Sequence, residues 1–101
     1  TGGYTGSISD GAYNVKDTDY ILGVSTVSNT VQINLPAVAG TAGRVLIIKD
    51  IGGNANNNNI TIDANSSETI DSATNKTISA ASGSMTIFSN GAGWSIIGVT
   101  T

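Results

Sequence analysis

The chain has 101 residues, no cysteine and no histidine, a formal charge of -3 and only 11% charged residues, against about 25% in an average soluble domain. One domain is the natural count. Disulfide staples, thiol chemistry, histidine-based nucleophile activation and the usual zinc ligand sets are all excluded. Four scattered cations, Lys16, Arg44, Lys49 and Lys76, cannot form the basic patch that nucleic acid or anionic lipid requires.

Residues 1–12 are rich in Gly and Ser and read as a linker or N-terminal arm; residues 13–101 read as a single β domain. The start Thr1-Gly2-Gly3-Tyr4-Thr5-Gly6 lacks an initiator Met, so the chain is read as a fragment of a longer protein, cut at that linker. Strand signals begin at Tyr13–Lys16, with Asp17-Thr18-Asp19 as a turn. Tyr20–Val24 is apolar on both faces. Thr30–Leu35 alternates, with Val31, Ile33 and Leu35 on one side and Thr30, Gln32 and Asn34 on the other, the mark of a half-buried strand. Pro36 ends it, and residues 37–43 form a loop.

Arg44–Ile51 is the most hydrophobic stretch: Val45 and Ile47 face one way, Leu46 and Ile48 the other. Gly52, Gly53 and the Asn-rich run Asn54–Asn59 make a long polar turn, since Gly and Asn tolerate left-handed backbone angles. Four Thr-Ile steps follow at Thr61, Thr69, Thr77 and Thr86, spaced 8, 8 and 9 residues apart. They predict short strands at Ile60–Asp63, Thr69–Ile70, Lys76–Ser79 and Ser84–Phe88. Asn90-Gly91-Ala92-Gly93 is the strongest hairpin signal, and Trp94–Val99 is the last strand. No segment keeps a 3.6-residue apolar period, and no apolar run approaches the roughly 20 residues of a membrane-spanning helix. The expected fold is all-β: an antiparallel β-sandwich or jelly-roll-like module of short strands, with a β-solenoid as the alternative suggested by the eight-residue rhythm.

Tyr20–Val24, Val45–Ile48 and, nearly, Trp94-Ser95-Ile96-Ile97 are apolar on both faces. A two-layer sandwich buries one face of each sheet, so these strands are either central strands under long loops or strands covered by another copy of the chain. Ile47→Asp and Ile48→Asp are both expected to break the core or the assembly. Asn57 and Asn58 are expected to be dispensable loop-tip residues.

The acids are Asp10, Asp17, Asp19, Asp50, Asp63, Glu68 and Asp71. Asp63, Glu68 and Asp71 are near in sequence, and a pair of carboxylates can hydrolyse a glycosidic bond; turn-forming acids are the plainer reading. Asn54–Asn59, the stretch Asp63–Asp71 and Asp17-Thr18-Asp19 supply oxygen ligands for a cation, without a recognised calcium-loop spacing. Tyr4, Tyr13, Tyr20 and Trp94 are candidates for stacking on a sugar, with Tyr13, Tyr20 and Trp94 better placed as core. Arg44 and Lys49 read as charges guarding an apolar strand. Sequons at Asn59, Asn65 and Asn75 are no more than composition yields. No catalytic, metal or cofactor residue is assigned, and no cofactor is expected.

Six stretches carry a resemblance: Asp19–Val24, Val31–Pro36, Ala42–Asp50, Asn59–Ile62, Glu68–Asp71 and Trp94–Ile97. Their order over residues 13–99 resembles a small β-domain near the ends of phage and viral fibre, spike or tail proteins and of related prophage-encoded proteins. The resemblance implies a non-enzymatic structural or attachment role on the virion surface, as a homotrimer, with a host surface glycan or receptor as partner and no membrane insertion. It carries no binding residues over. The alternative is a carbohydrate-binding module appended to a larger phage or bacterial protein.

Overall fold

The alternation of apolar and polar residues produces nine strands in a computed structural model that describes residues 3–9 and 11–100. They are β1 (Tyr4–Ile8), β2 (Ala12–Asn14), β3 (Ile21–Val24), β4 (Val31–Asn34), β5 (Val45–Asp50), β6 (Ile60–Asp63), β7 (Asn75–Ile78), β8 (Ser84–Ser89) and β9 (Trp94–Thr100). The described residues contain no helix. Two sheets form, in the order β1-β3-β5-β8-β9 and β2-β4-β6-β7, called here sheet A and sheet B. The protein is an all-β, sandwich-like module.

The sheets are mixed rather than uniformly antiparallel. From β1 to β6 the chain crosses to the other sheet after every strand. A chain that crosses and returns lies beside its earlier strand in the same direction, so β1–β3, β3–β5, β2–β4 and β4–β6 are parallel. Parallel neighbours need a long crossover, and here a strand of the opposite sheet supplies it. The winding stops after β6: β6–β7, β5–β8 and β8–β9 are antiparallel, so the solenoid alternative does not describe the chain.

Inside, Leu22 and Val24 of β3, Leu46 and Ile48 of β5, and Met85 and Ile87 of β8 meet Ile33 of β4, Ile60 and Ile62 of β6 and Ile78 of β7. Each fully buried aliphatic side chain contributes about 1.5–3 kcal/mol of transfer free energy. Ile70 is buried with them, but the expected Thr69–Ile70 strand is reduced to isolated bridges from Ile70 to Ala73 and to Trp94.

Part of the stretch read as a linker or N-terminal arm pairs with sheet A. Tyr4–Ile8 is an edge strand: Ile21 N donates to Gly3 O (2.9 Å) and Ser25 N to Ile8 O (2.9 Å). Only Ile8 contributes a buried side chain. The glycines have a steric purpose, because the Tyr4 ring folds over its own strand and β3. A Cβ on Gly6 would lie 2.6 Å from that ring, and one on Gly23 2.5 Å from its hydroxyl. Thr1, Gly2, Asp10 and Thr101 lie outside the described residues, and so does the start of the Gly-rich stretch on which the fragment reading rests.

Candidate functional site

The two outward faces differ in kind. In β5 the odd positions Val45, Ile47 and Lys49 turn away from the buried Leu46, Ile48 and Asp50. Register extends these outward positions across sheet A: Tyr4, Ile21, Ile47 and Thr86 form one row, and Val45 and Phe88 another. The face is apolar at Tyr4, Ile21, Ile47, Val45 and Phe88, while its third row, Gly23, Lys49, Ser84 and Thr100, is polar or bare; no third layer stands over it among the described residues. Tyr4 is 62% exposed at one edge, and at the other edge Ile97, the extra residue of a bulge, is 61% exposed; Val99 pairs with the buried Met85 and so lies on the inner side of the sheet. Both strands expected to be apolar on two faces, β3 and β5, lie in this sheet.

Sheet B presents the opposite surface. Its outward rows are Ala12, Gln32, Thr61 and Thr77, and Asn14, Asn34, Asp63 and Asn75. Gln32 Nε2 donates to Asn34 Oδ1 (2.7 Å), and Asn34 Nδ2 to Asn14 Oδ1 (3.0 Å). Amide chains satisfy one another here, as expected of a water-facing layer.

The three neighbouring acids do not converge. Asp63 sits on the outer face of sheet B opposite Asn75. Glu68 Oε1 accepts from Val38 N (3.2 Å), and Asp71 Oδ1 accepts from Ile96 N (3.3 Å). Asp17 is exposed while Asp19 is buried, so the Asp17-Thr18-Asp19 turn sends its carboxylates apart. In the Asn-rich loop Asn56, Asn57 and Asn59 are exposed, while Asn58 turns inward, its Nδ2 donating to Thr26 O (2.8 Å). No group of three metal-ligating side chains occurs among the described residues.

Two buried carboxylates organise the loops. Asp19 accepts from the Thr5 hydroxyl (2.8 Å), the Tyr13 hydroxyl (2.7 Å) and Lys16 N (2.8 Å), joining β1, β2 and the turn before β3. Burial works to raise its pKa. The hydrogen bonds from Lys16 N, Tyr13 and Thr5 and the Lys16 charge outweigh that, and the pKa is lowered. Its partner Tyr13 is pushed up to about 12 by burial and by the hydrogen bond and charge of Asp19. Asp50, 1% exposed, accepts from Gly53 N (3.1 Å), Ala55 N (2.9 Å) and Ser82 N (2.9 Å). The sequence hinted at this: an acid ending a strand before a Gly-Gly-Asn loop is placed to accept loop N–H groups.

The aromatic candidates separate. Trp94 is 2% exposed, with its indole N–H buried and without an acceptor among the described residues; it cannot stack on a ligand. Tyr13 packs against the core, Tyr20 is half-buried, and Tyr4 is the exposed one. Arg44 is more than a guard: its Nη2 donates to Lys16 O and to Asp19 O, and Lys49 Nζ donates to Ser82 O.

One feature was hidden in the sequence. Ile70 N donates to Ala73 O (2.7 Å) and Ala73 N to Ile70 O (3.0 Å), closing a two-residue hairpin. Its central residues, Asp71 (φ 49°) and Ser72 (φ 71°), are both left-handed. Asn-Gly is the usual choice for such a turn, and the Asp-Ser pair gives no comparable signal. Beside it, Asn90 caps the next turn by accepting from Ala92 N (2.8 Å) and Gly93 N (2.9 Å). Between the two turns lies an open cleft of about 300 Å³.

No protein-family model and no curated protein matches this chain.

Proposed function

We propose that this chain is a non-enzymatic module of a virion fibre or spike, exposed at the particle surface, where it acts as a homotrimer in projection or host attachment. The outer face of sheet A carries the reading. Tyr4, Ile21, Val45, Ile47 and Phe88 form a contiguous apolar surface in a chain with two layers. Isolated exposed apolar residues are ordinary, but a contiguous patch is characteristic of an interface. Apolar groups at opposite edges, Tyr4 on β1 and Ile97 on β9, suit the head-to-tail contacts of a closed ring. The strand-and-turn order over residues 13–99 supports the fibre setting.

Static light scattering after size exclusion tests it. The expected mass is three times the 10.1 kDa of the chain. Ile47→Asp is expected to return the mass to one chain while the far-ultraviolet circular dichroism stays unchanged, because Ile47 faces outward. Ile48→Asp is expected to unfold the chain, because Ile48 is fully buried. A monomeric wild type at micromolar concentration, or a trimer indifferent to Ile47→Asp, overturns the assembly part of the proposal. The second reading, a monomeric carbohydrate-binding module, is favoured by the polar cleft beside Asn90.

A further inference from the structure

We infer that the cleft between the Ile70–Ala73 hairpin and the Asn90–Ser95 turn is a saccharide site that takes two adjacent hydroxyls of a sugar ring. The inference deepens the attachment role proposed above and rests on that reading for its biological setting.

The lining is polar: Thr69, Asp71, Ser72, Asn90 and Ser95 surround it, with Trp94 at the base. Its volume lies at the small end of ligand pockets, in the class of one sugar ring. The hydrogen-bond accounting leaves matched capacity. Asp71 Oδ1 has one long bond, from Ile96 N, and Oδ2 has no donor among the described residues. Asn90 Oδ1 is occupied by two backbone donors. That settles the orientation of its amide and leaves both Nδ2 hydrogens without a partner among the described residues. The hydroxyls of Ser72 and Ser95 also have no protein partner among the described residues. A vicinal diol presents two donors and two acceptors side by side. A carboxylate accepts from both hydroxyls, and a nearby amide donates back to their oxygens.

Other ligand classes fit less well. An anion such as phosphate would meet the Asp71 carboxylate with no Lys or Arg in the lining. A calcium ion needs six to eight oxygens, usually from several acids, and the cleft offers one carboxylate.

The backbone adds an independent observation. Asp71 and Ser72 hold left-handed angles that Asn-Gly would adopt with less strain. The turn is clamped from both sides, Asp71 N donating to Trp94 O (2.9 Å) and Trp94 N to Thr69 O (2.8 Å). Strain retained at a rigidly held position, where two polar side chains line a cleft, points to a use for those side chains. Since Trp94 is buried and cannot stack, a single site binds weakly, at about millimolar Kd, and a trimer would raise the avidity.

The test is titration of the 15N-labelled chain with methyl glycosides of galactose, mannose, glucose and N-acetylglucosamine, read by amide chemical shifts. At least one sugar should give saturable shifts confined to residues 69–73 and 90–96. Asp71→Asn should weaken that binding at least ten-fold, since a neutral amide oxygen replaces a charged acceptor. Asp71→Asn with Ser72→Gly should weaken it as much while melting at the same or a higher temperature, which separates lost binding from lost fold. Absence of cleft shifts with all four sugars at tens of millimolar overturns the inference, as does binding that survives both variants. Shifts produced by calcium alone in place of sugar also overturn it. Cleft shifts in a chain that proves monomeric uphold the site and sink the trimer; a trimer without them does the reverse.

Discussion

Replacing Asp50 by Ala should be among the most damaging single changes outside the aliphatic core. Its carboxylate holds the loop after β5 and the turn before β8 through three backbone donors, two of them, Ala55 N and Ser82 N, on Oδ2 and one, Gly53 N, on Oδ1. Ala55 is fully buried, so its orphaned N–H would carry most of the desolvation penalty, about 1–3 kcal/mol. Gly53 and Ser82 are partly or fully exposed, and water would replace their bonds at about 0.5–1 kcal/mol each. The sum is about 2–5 kcal/mol, a large part of the roughly 5–15 kcal/mol that stabilises a domain. Asp50→Asn should cost less, about 1–2 kcal/mol, because an amide oxygen can take the place of Oδ2 and only Gly53 N then faces an NH2 group. Urea unfolding followed by circular dichroism, with equal m-values, measures both. An Ala variant within about 1 kcal/mol of wild type would refute the role given to Asp50. An Asn variant as damaged as Ala would refute the assignment of two donors to one oxygen.

Alkali should remove stability through Tyr13: its folded pKa, about 12, exceeds the unfolded value of about 10, so its contribution is intact below pH of about 10 and lost between there and about 12. Melting temperature against pH should therefore fall less steeply over that range in Tyr13→Phe than in wild type; equal slopes would contradict this. Acid should act through Asp19, whose lowered pKa makes its contribution present above the unfolded value of about 3.9 and lost as pH falls through the folded one. An Asp19→Asn variant should show a shallower acid limb, and an unchanged one would count against the Thr5–Tyr13–Lys16 cluster. In the Asn-rich loop, Asn57→Ala should be nearly neutral. Asn58→Ala should cost about 1 kcal/mol, since it frees the Thr26 carbonyl; equal urea midpoints for the two would show that this bond contributes nothing.

Much of the fold was legible because it depends on near neighbours in the chain. Val31, Ile33 and Ile60, Ile62 alternate with polar residues, and β4 and β6 appear where that pattern puts them. The Asn90–Gly93 hairpin lies between β8 and β9 as its turn chemistry required. β1 was illegible because its pairing rests on backbone hydrogen bonds and one buried isoleucine, which leave little trace in composition. The site was less legible still. Asp63, Glu68 and Asp71 are close in the chain, but a strand and two different turns aim them at different partners. Asp71 and Asn90 line one cleft because the Ile70 hairpin is bonded to Trp94.

By itself the sequence determined the all-β character, the positions of most strands and the double apolarity of β3 and β5, since these follow from side-chain alternation and turn residues within a few positions. The tertiary structure alone decided that the first six strands pair in parallel, that Leu46 and Ile48 face inward while Val45 and Ile47 face out, and that two distant turns enclose a polar cleft. Strand direction depends on which sheet the chain visits next, and the choice between two equally apolar faces depends on what packs against them. Neither is a property of a local segment.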